Sequence, residues 1–306
     1  MITQILKNQL TTDLYTSCSI DDVIKQVDCL IKKIFFEQDF LFQEQNNICI
    51  EAVNYHLDTP GRQVRARACL DTCIKLGVHY DDMLILAATS ELLHNASLIH
   101  DDIQDEDEIR RGQFSVWKKY GIKIGICAGD LLISTAYGVL SGYSKTSQLP
   151  RIISRINNQT ITAIAGQSLD IVYKNNRKLS IQQYLHIAKQ KSGALLSLPI
   201  ELAFIAAEQE EYINLVKKAC ANLAVGYQIV DDLEDVVKDT GINNMGKSVN
   251  ITLILKDMAC KDVQQSAVAM CLQYLNDSIH YASTLPNTTG IFLVDLANTL
   301  KKKIRY

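Results

Sequence analysis

Two short runs of acid stand out. Asp101-Asp102-Ile103-Gln104-Asp105-Glu106-Asp107-Glu108 holds six acids in eight residues, and Asp231-Asp232-Leu233-Glu234-Asp235 holds four in five. Each contains Asp-Asp-x-x-Asp. Residues four apart share a helix face, so Asp101 stacks on Asp105 and Asp231 on Asp235. His94, Ser97, Asp101 and Asp105 form one polar stripe beside an apolar stripe of Leu92, Ala96, Ile99 and Ile103. Ala224, Gln228, Asp231 and Asp235 line up in the same way. Both acidic stripes run out of apolar stretches, so both are expected to begin inside the protein. Crowded carboxylates repel one another, and burial makes this worse. A cation relieves the repulsion. An all-oxygen donor set suits a hard ion, and Mg²⁺ takes few carboxylates together with water and substrate phosphates. The candidate ligands are Asp101, Asp102, Asp105, Asp231, Asp232 and Asp235. One such cluster reads equally well as a solvated helix end; the repeated spacing argues for metal.

Basic residues accompany the acids. Arg110 and Arg111 follow the first cluster and precede Gly112. Their forked donors suit phosphate oxygens. Arg62, Arg65 and Arg67 follow Pro60-Gly61 near an expected helix start, where backbone N–H groups attract anions. Lys191-Ser192 and Gly246-Lys247-Ser248 are further anion candidates. Each group alone reads as ordinary surface. With metal-binding acids they fit a diphosphate ligand. No GxxxxGK[ST] loop is present, which disfavours nucleotide hydrolysis. No Ser/His/Asp or Cys/His set suggests a nucleophile.

The elements that position these groups are helical. The chain has 306 residues, 47% of them apolar, with only 14 Gly and 4 Pro. Few breakers and ample apolar content favour long helices around a large core. The apolar period is helical almost throughout, for example over 21–42, 80–103, 125–143, 150–172, 181–206, 210–238 and 258–283. Turn-type clusters fall at Thr59–Gly61, Tyr143–Pro150, Lys174–Lys178, Thr240–Gly246 and Pro286–Gly290. Val249–Leu255 is the one stretch that reads as strand. The expectation is a single all-α domain over 1–306, a large bundle of antiparallel helices. A net charge of −3 argues against nucleic acid and anionic membranes as partners. Nine scattered Cys without CxxC fit reduced thiols in an intracellular protein. No transmembrane segment is expected; Ala194–Ala207 comes nearest but holds Pro199 and Glu201. The basic tail Lys301–Arg305 reads as a frayed, solvated terminus. No signal-peptide pattern is seen near Asp13, Asp21 and Asp22.

At this point the residues resemble the trans-isoprenyl diphosphate synthase family. Glu91–Asp105 with Ile109-Arg110-Arg111-Gly112 is similar to the family's first aspartate-rich motif, and Gly226–Asp235 to its second. Ala128–Leu132, Gly166–Asp170, Lys189–Leu195 and Met245–Lys247 also resemble family segments, in family order. The resemblance implies an isoprenoid-synthase-like helical fold around a central cavity, and Mg²⁺-dependent condensation of isopentenyl diphosphate with an allylic diphosphate. It implies that Asp101, Asp105, Asp231 and Asp235 hold several Mg²⁺ ions, with Asp101, Asp105, Asp231 and Lys191 central to catalysis. It places Arg110, Lys191, Ser192, Gln228 and Lys247 on the allylic diphosphate, and Arg62, Arg65, His94 and Arg111 on isopentenyl diphosphate. A homodimer is implied.

Three departures bear on this. Gly-Lys-Arg-x-Arg-Pro reads here Gly61-Arg62-Gln63-Val64-Arg65-Ala66, so one Arg has become Gln63. Thr252-Leu253 follows Gly246-Lys247 early, as if the intervening loop were shortened. Ser192 stands where Thr is common. In the family, the residues four and five before the first Asp floor the cavity in short-chain enzymes. Here they are Ser97 and Ala96, both small, which favours products longer than fifteen carbons. A non-catalytic partner subunit and a class I terpene cyclase are the alternatives; a carboxylate-bridged di-iron protein lacks its Glu-x-x-His pair. Richness in Lys, Ile and Asn points to an AT-rich genome, and a soluble protein of a bacterial cytoplasm or, if plastid-encoded, of a plastid stroma would fit.

Overall fold

The computed structural model describes residues 19–41, 47–59, 61–174, 179–238 and 249–304, excepting the side chains of 36–41 and 235–238. It is all-α: α1 (Ile20–Leu41), α2 (Ile48–Leu57), α3 (Val64–Leu76), α4 (Tyr80–Gln104), α5 (Val116–Tyr120), α6 (Ile122–Val139), α7 (Leu149–Tyr173), α8 (Ile181–Ala188), α9 (Ala194–Ala206), α10 (Ile213–Lys238), α11 (Ile251–Asp257), α12 (Val263–Ser283) and α13 (Ile291–Lys303). The only strands among the described residues are β1 (Ile109–Arg110) and β2 (Gln113–Phe114). The chain divides into two compact units, residues up to Ile153 with Ile205–Ala207, and Ser154–Phe204 with the residues from Glu208 onward.

In the first unit α4 is the central helix. Every residue from Asp82 to Leu93 is buried, and each large aliphatic side chain so placed contributes about 1.5–3 kcal/mol. It packs against α1, α3 and α6. Close approach to α6 needs glycine: a Cβ at Gly125 would lie 2.9 Å from Ile103, and one at Gly129 would lie 2.1 Å from His100. α3 ends where Gly77 adopts φ +69°, and the Gly77 and Val78 N–H groups return to the Ile74 and Cys73 carbonyls in a Schellman closure.

In the second unit α10 packs against α12, α13 and α8. A Cβ at Gly226 would collide with Leu275. α8 opens with a capping box between Ser180 and Gln183. It leads into a π-helical turn, Lys189–Gly193, before α9.

Several expectations need correction. Val249–Leu255 is not a strand: Asn250 accepts the Thr252 N–H at 2.8 Å and starts α11. Its apolar run was too short for periodicity to decide between helix and strand. Lys301–Lys303 are not a frayed tail; they form the last turn of α13, where cations offset the helix dipole, and Lys303 pairs with Glu234 at 2.9 Å. Ile122–Gly142, not Ala194–Ala207, is the segment long and apolar enough to cross a bilayer by length and composition. Of that window 44% is buried inside the protein.

Candidate active site

The first acidic row sits at the end of α4. Asp101 lies in its last turn and Asp105 is its C-cap, with the Asp105 N–H donating to the Asp101 carbonyl at 2.8 Å. Both side chains are half-buried. Asp102 is fully buried, and its Oδ1 accepts both Nε (2.7 Å) and a terminal NH₂ of Arg110. Desolvation raises the Asp102 carboxyl to about 6 against the pull of Arg110. The outer acids and the middle acid of Asp-Asp-x-x-Asp therefore face different surroundings.

The hairpin after this row separates the two arginines. Arg111 and Gly112 occupy its turn with φ +54° and +83°, the pattern of a type I′ turn. Arg110 on β1 reaches back to Asp102. Arg111 instead donates to the Thr59 carbonyl at 2.7 Å and lies so close over Gly61 that a Cβ there would sit 2.7 Å from its guanidinium. A side chain at position 61 would therefore have to displace the Arg111 guanidinium.

Arg111 joins a second cluster with Arg65 and His94. Arg65 NH1 lies 3.2 Å from His94 Nε2; since guanidinium only donates, Nε2 accepts and Nδ1 carries the hydrogen. Burial, with Arg65 and Arg111 nearby, holds the His94 pKa well below its usual value. Beneath lies a buried chain: His56 donates from Nε2 to Asn95 Oδ1 (3.0 Å), and Asn95 Nδ2 donates to the Glu91 carbonyl (2.8 Å). Arg62 is exposed. Arg67 is tied to Asp21 at 2.7 Å. Gln63 adopts φ +51° as the N-cap of α3 without a side-chain cap bond, and donates to Asp28.

The second acidic row belongs to the other unit. Asp231 is half-buried, whereas Asp232 is buried and accepts from Tyr184 Oη (2.7 Å), Ile251 N (2.8 Å) and Gln228 Nε2 (3.0 Å). It ties α10 to α8 and to the start of α11. Desolvation lifts its carboxyl to about 7 despite these three donors. Lys191 projects from the π-helical turn and donates to Asp170 at 2.7 Å. A Cβ at Gly166 would come 2.4 Å from the Lys191 backbone N. Such turns are often found at functional sites. Ser192 is half-buried in the same turn. The Asp235 side chain and Lys247 lie outside what the structure describes.

Among the described residues no three acidic, His or Cys side chains converge tightly enough to cage a metal unaided. Half-buried carboxylates at Asp101, Asp105 and Asp231 fit Mg²⁺ that also takes water and phosphate oxygens. Of the chain-length positions, Ala96 is buried, and the Ser97 hydroxyl donates to the His94 carbonyl at 2.7 Å. Asp170, Tyr184, Glu91, Asn95 and His56 were not singled out as site residues. Glu91 did carry a signal, as the only acid between Asp82 and Asp101.

Residues 46–274 match the Polyprenyl synthetase family model. The chain is 30% identical to the geranylgeranyl diphosphate synthase of Sulfolobus acidocaldarius, over 82% of this chain and 79% of that one. It is 24% identical to the short chain isoprenyl diphosphate synthase of Methanocaldococcus jannaschii, over 85% and 84%. Its fold is similar to that of a geranylgeranyl pyrophosphate synthetase from Geoglobus acetivorans, with a TM-score of 0.75, 23% identity, and 92% and 99% coverage. It is also similar to a decaprenyl diphosphate synthase from Rhodobacter capsulatus, with a TM-score of 0.77, 19% identity, and 94% and 100% coverage. The chain therefore belongs to the polyprenyl synthetase family and is a trans-isoprenyl diphosphate synthase enzyme.

Proposed function

We propose that this chain condenses isopentenyl diphosphate with an allylic diphosphate and releases a trans-polyprenyl diphosphate longer than fifteen carbons. The observation that carries the reading is the divergence of two adjacent arginines. Arg110 turns to the acid row through Asp102, and Arg111 turns to the Thr59 carbonyl, within electrostatic range of His94, which Arg65 contacts. Two anion sites serve two diphosphates; a cyclase needs only one. The intact acid rows likewise favour a catalytic chain over a non-catalytic partner.

In this reading Asp101, Asp105, Asp231 and Asp235 hold Mg²⁺, while Asp102 and Asp232 position the helices that carry them. When bound, Mg²⁺ neutralises charge growing on the departing diphosphate. Arg110, Lys191, Ser192, Gln228 and Lys247 bind the allylic diphosphate and stabilise the same charge. The allylic C–O bond breaks, and diphosphate leaves with the electron pair. Arg62, Arg65, His94 and Arg111 hold isopentenyl diphosphate, whose double bond supplies the electrons for the new C–C bond. The proton then lost passes to the released diphosphate. Neutral His94 donates from Nδ1 rather than adding charge. Small Ala96 and Ser97 leave room for a long tail.

We further propose a homodimer. Ile161, Ile164 and Val172 are more than half exposed on α7, an apolar face suited to a second copy. The eight described cysteines are all free thiols, in keeping with a reducing bacterial cytosol or plastid stroma.

The test is incubation of the purified chain with Mg²⁺, radiolabelled isopentenyl diphosphate and an allylic primer, followed by chromatography of butanol-extractable product. Labelled chains beyond fifteen carbons are expected. No extractable product from the chain alone favours the partner-subunit alternative, and farnesyl diphosphate as sole product removes the chain-length claim.

A further inference from the structure

We infer that Glu91 is a positioning residue for isopentenyl diphosphate, capping α3 from α4 and holding Arg65 and Arg111 in register; this rests on the function proposed above. Glu91 is buried, and neither acid row includes it. An isolated carboxylate is costly to bury, and burial raises the Glu91 carboxyl above its usual range, with Arg65, the Ala66 N–H and Arg111 pulling the other way. Three observations supply what it does there. The N-cap of α3, Gln63, makes no side-chain cap bond, leaving a first-turn N–H in need of an acceptor. Glu91 Oε2 takes that role, accepting from Ala66 N at 3.2 Å. Ala66 immediately follows Arg65, so the bond fixes the backbone that carries this guanidinium.

Second, Glu91 and Arg111 line one small cavity with Gly61, Gln63 and Asn95. Arg65 and Arg111 both lie close enough to favour the ionised carboxylate electrostatically. A carboxylate within electrostatic range of two guanidinium groups offsets part of their mutual repulsion while leaving net positive charge for a diphosphate. Third, the carboxylate is itself held. Asn95 Nδ2 lies 3.4 Å from Glu91 Oε1, and His56 orients Asn95 from behind. Glutamine at this position would keep the size and one acceptor. Its amide would, however, present N–H groups toward Asn95 and two cations.

The experiment is isothermal titration of the purified full-length chain, first with isopentenyl diphosphate alone, then with an allylic diphosphate plus Mg²⁺. For Glu91→Gln the Kd for isopentenyl diphosphate should rise about tenfold, the scale expected when a charged hydrogen-bond partner is lost. The Kd for the allylic diphosphate should stay within about twofold. A merely structural role would weaken both ligands together. If the Gln variant fails to fold, Glu91→Asp decides: it keeps the charge but withdraws it by one methylene, and should weaken isopentenyl diphosphate selectively. Unchanged affinity, or parallel loss of both affinities, overturns the inference. Wild-type protein that binds no isopentenyl diphosphate would remove the proposed function, and this inference with it.

Discussion

Gly166 offers a test of how Lys191 is held. Replacing a mid-helix glycine by alanine ordinarily stabilises by about 0.5–1 kcal/mol, because the unfolded chain loses freedom. At Gly166 the new Cβ would meet Lys191 N at 2.4 Å, Gln190 Cβ at 2.7 Å and Gln190 C at 2.8 Å. Two of these are backbone atoms and cannot rotate away. The π-helical turn must move by several tenths of an ångström, an overpacking cost of about 1–3 kcal/mol. Gly138 on α6 is the control, since nothing lies within 4 Å of a Cβ there. The expected outcome for Gly166→Ala is a net loss of about 1–2 kcal/mol, or a Tm lower by about 2–8 °C for a chain of this size. Gly138→Ala should leave Tm unchanged or raise it by about 2 °C. Moving the turn also parts Lys191 from Asp170, so the KM for the allylic substrate should rise about tenfold while that for isopentenyl diphosphate holds. Calorimetry and steady-state kinetics on both variants decide the matter. A Gly166→Ala protein with wild-type Tm and wild-type allylic KM would refute the reasoning.

Three further outcomes are expected. Burial and the nearby Arg111 lower the His56 pKa to about 4. The unfolded chain then binds the extra proton between pH 4 and about 6.5, so the stability contributed by neutral His56 falls on acidification through that window, by up to about 3 kcal/mol; urea unfolding of wild type and His56→Gln at pH 5 and 7 should show the wild type losing ground to the variant as pH falls. Tyr184→Phe removes a donor from buried Asp232 and should cost about 1–3 kcal/mol in thermal unfolding. Ala96→Phe should shorten the products seen by chromatography; an unchanged spectrum would argue against the chain-length assignment.

The acid rows were legible because helical i, i+4 spacing is a local property carried by residue types alone. What each acid touches was not. Asp102 and Asp232 have the same side chain as their neighbours, but one step along a helix turns them by about 100° from the half-buried face to the interior. There they bind Arg110 and the Tyr184–Ile251–Gln228 set. The hairpin that parts Arg110 from Arg111 rests on positive φ at Arg111, a residue with little preference for it. The apolar run Ile251–Leu255 is short enough to read as strand, and only the Asn250 side chain's bond to the Thr252 N–H decides for helix. The Glu91 network depends on α3 meeting α4, a pairing that local spacing does not encode.

The central claim of the proposed function is that each acid row is needed for the allylic diphosphate to leave. Asp101→Asn and Asp231→Asn should each reduce labelled isopentenyl diphosphate incorporation by about a hundredfold or more, with the double variant little worse than the weaker single, as expected of groups acting together. Incorporation within a few-fold of wild type in either single variant, or losses that multiply in the double, would contradict the account.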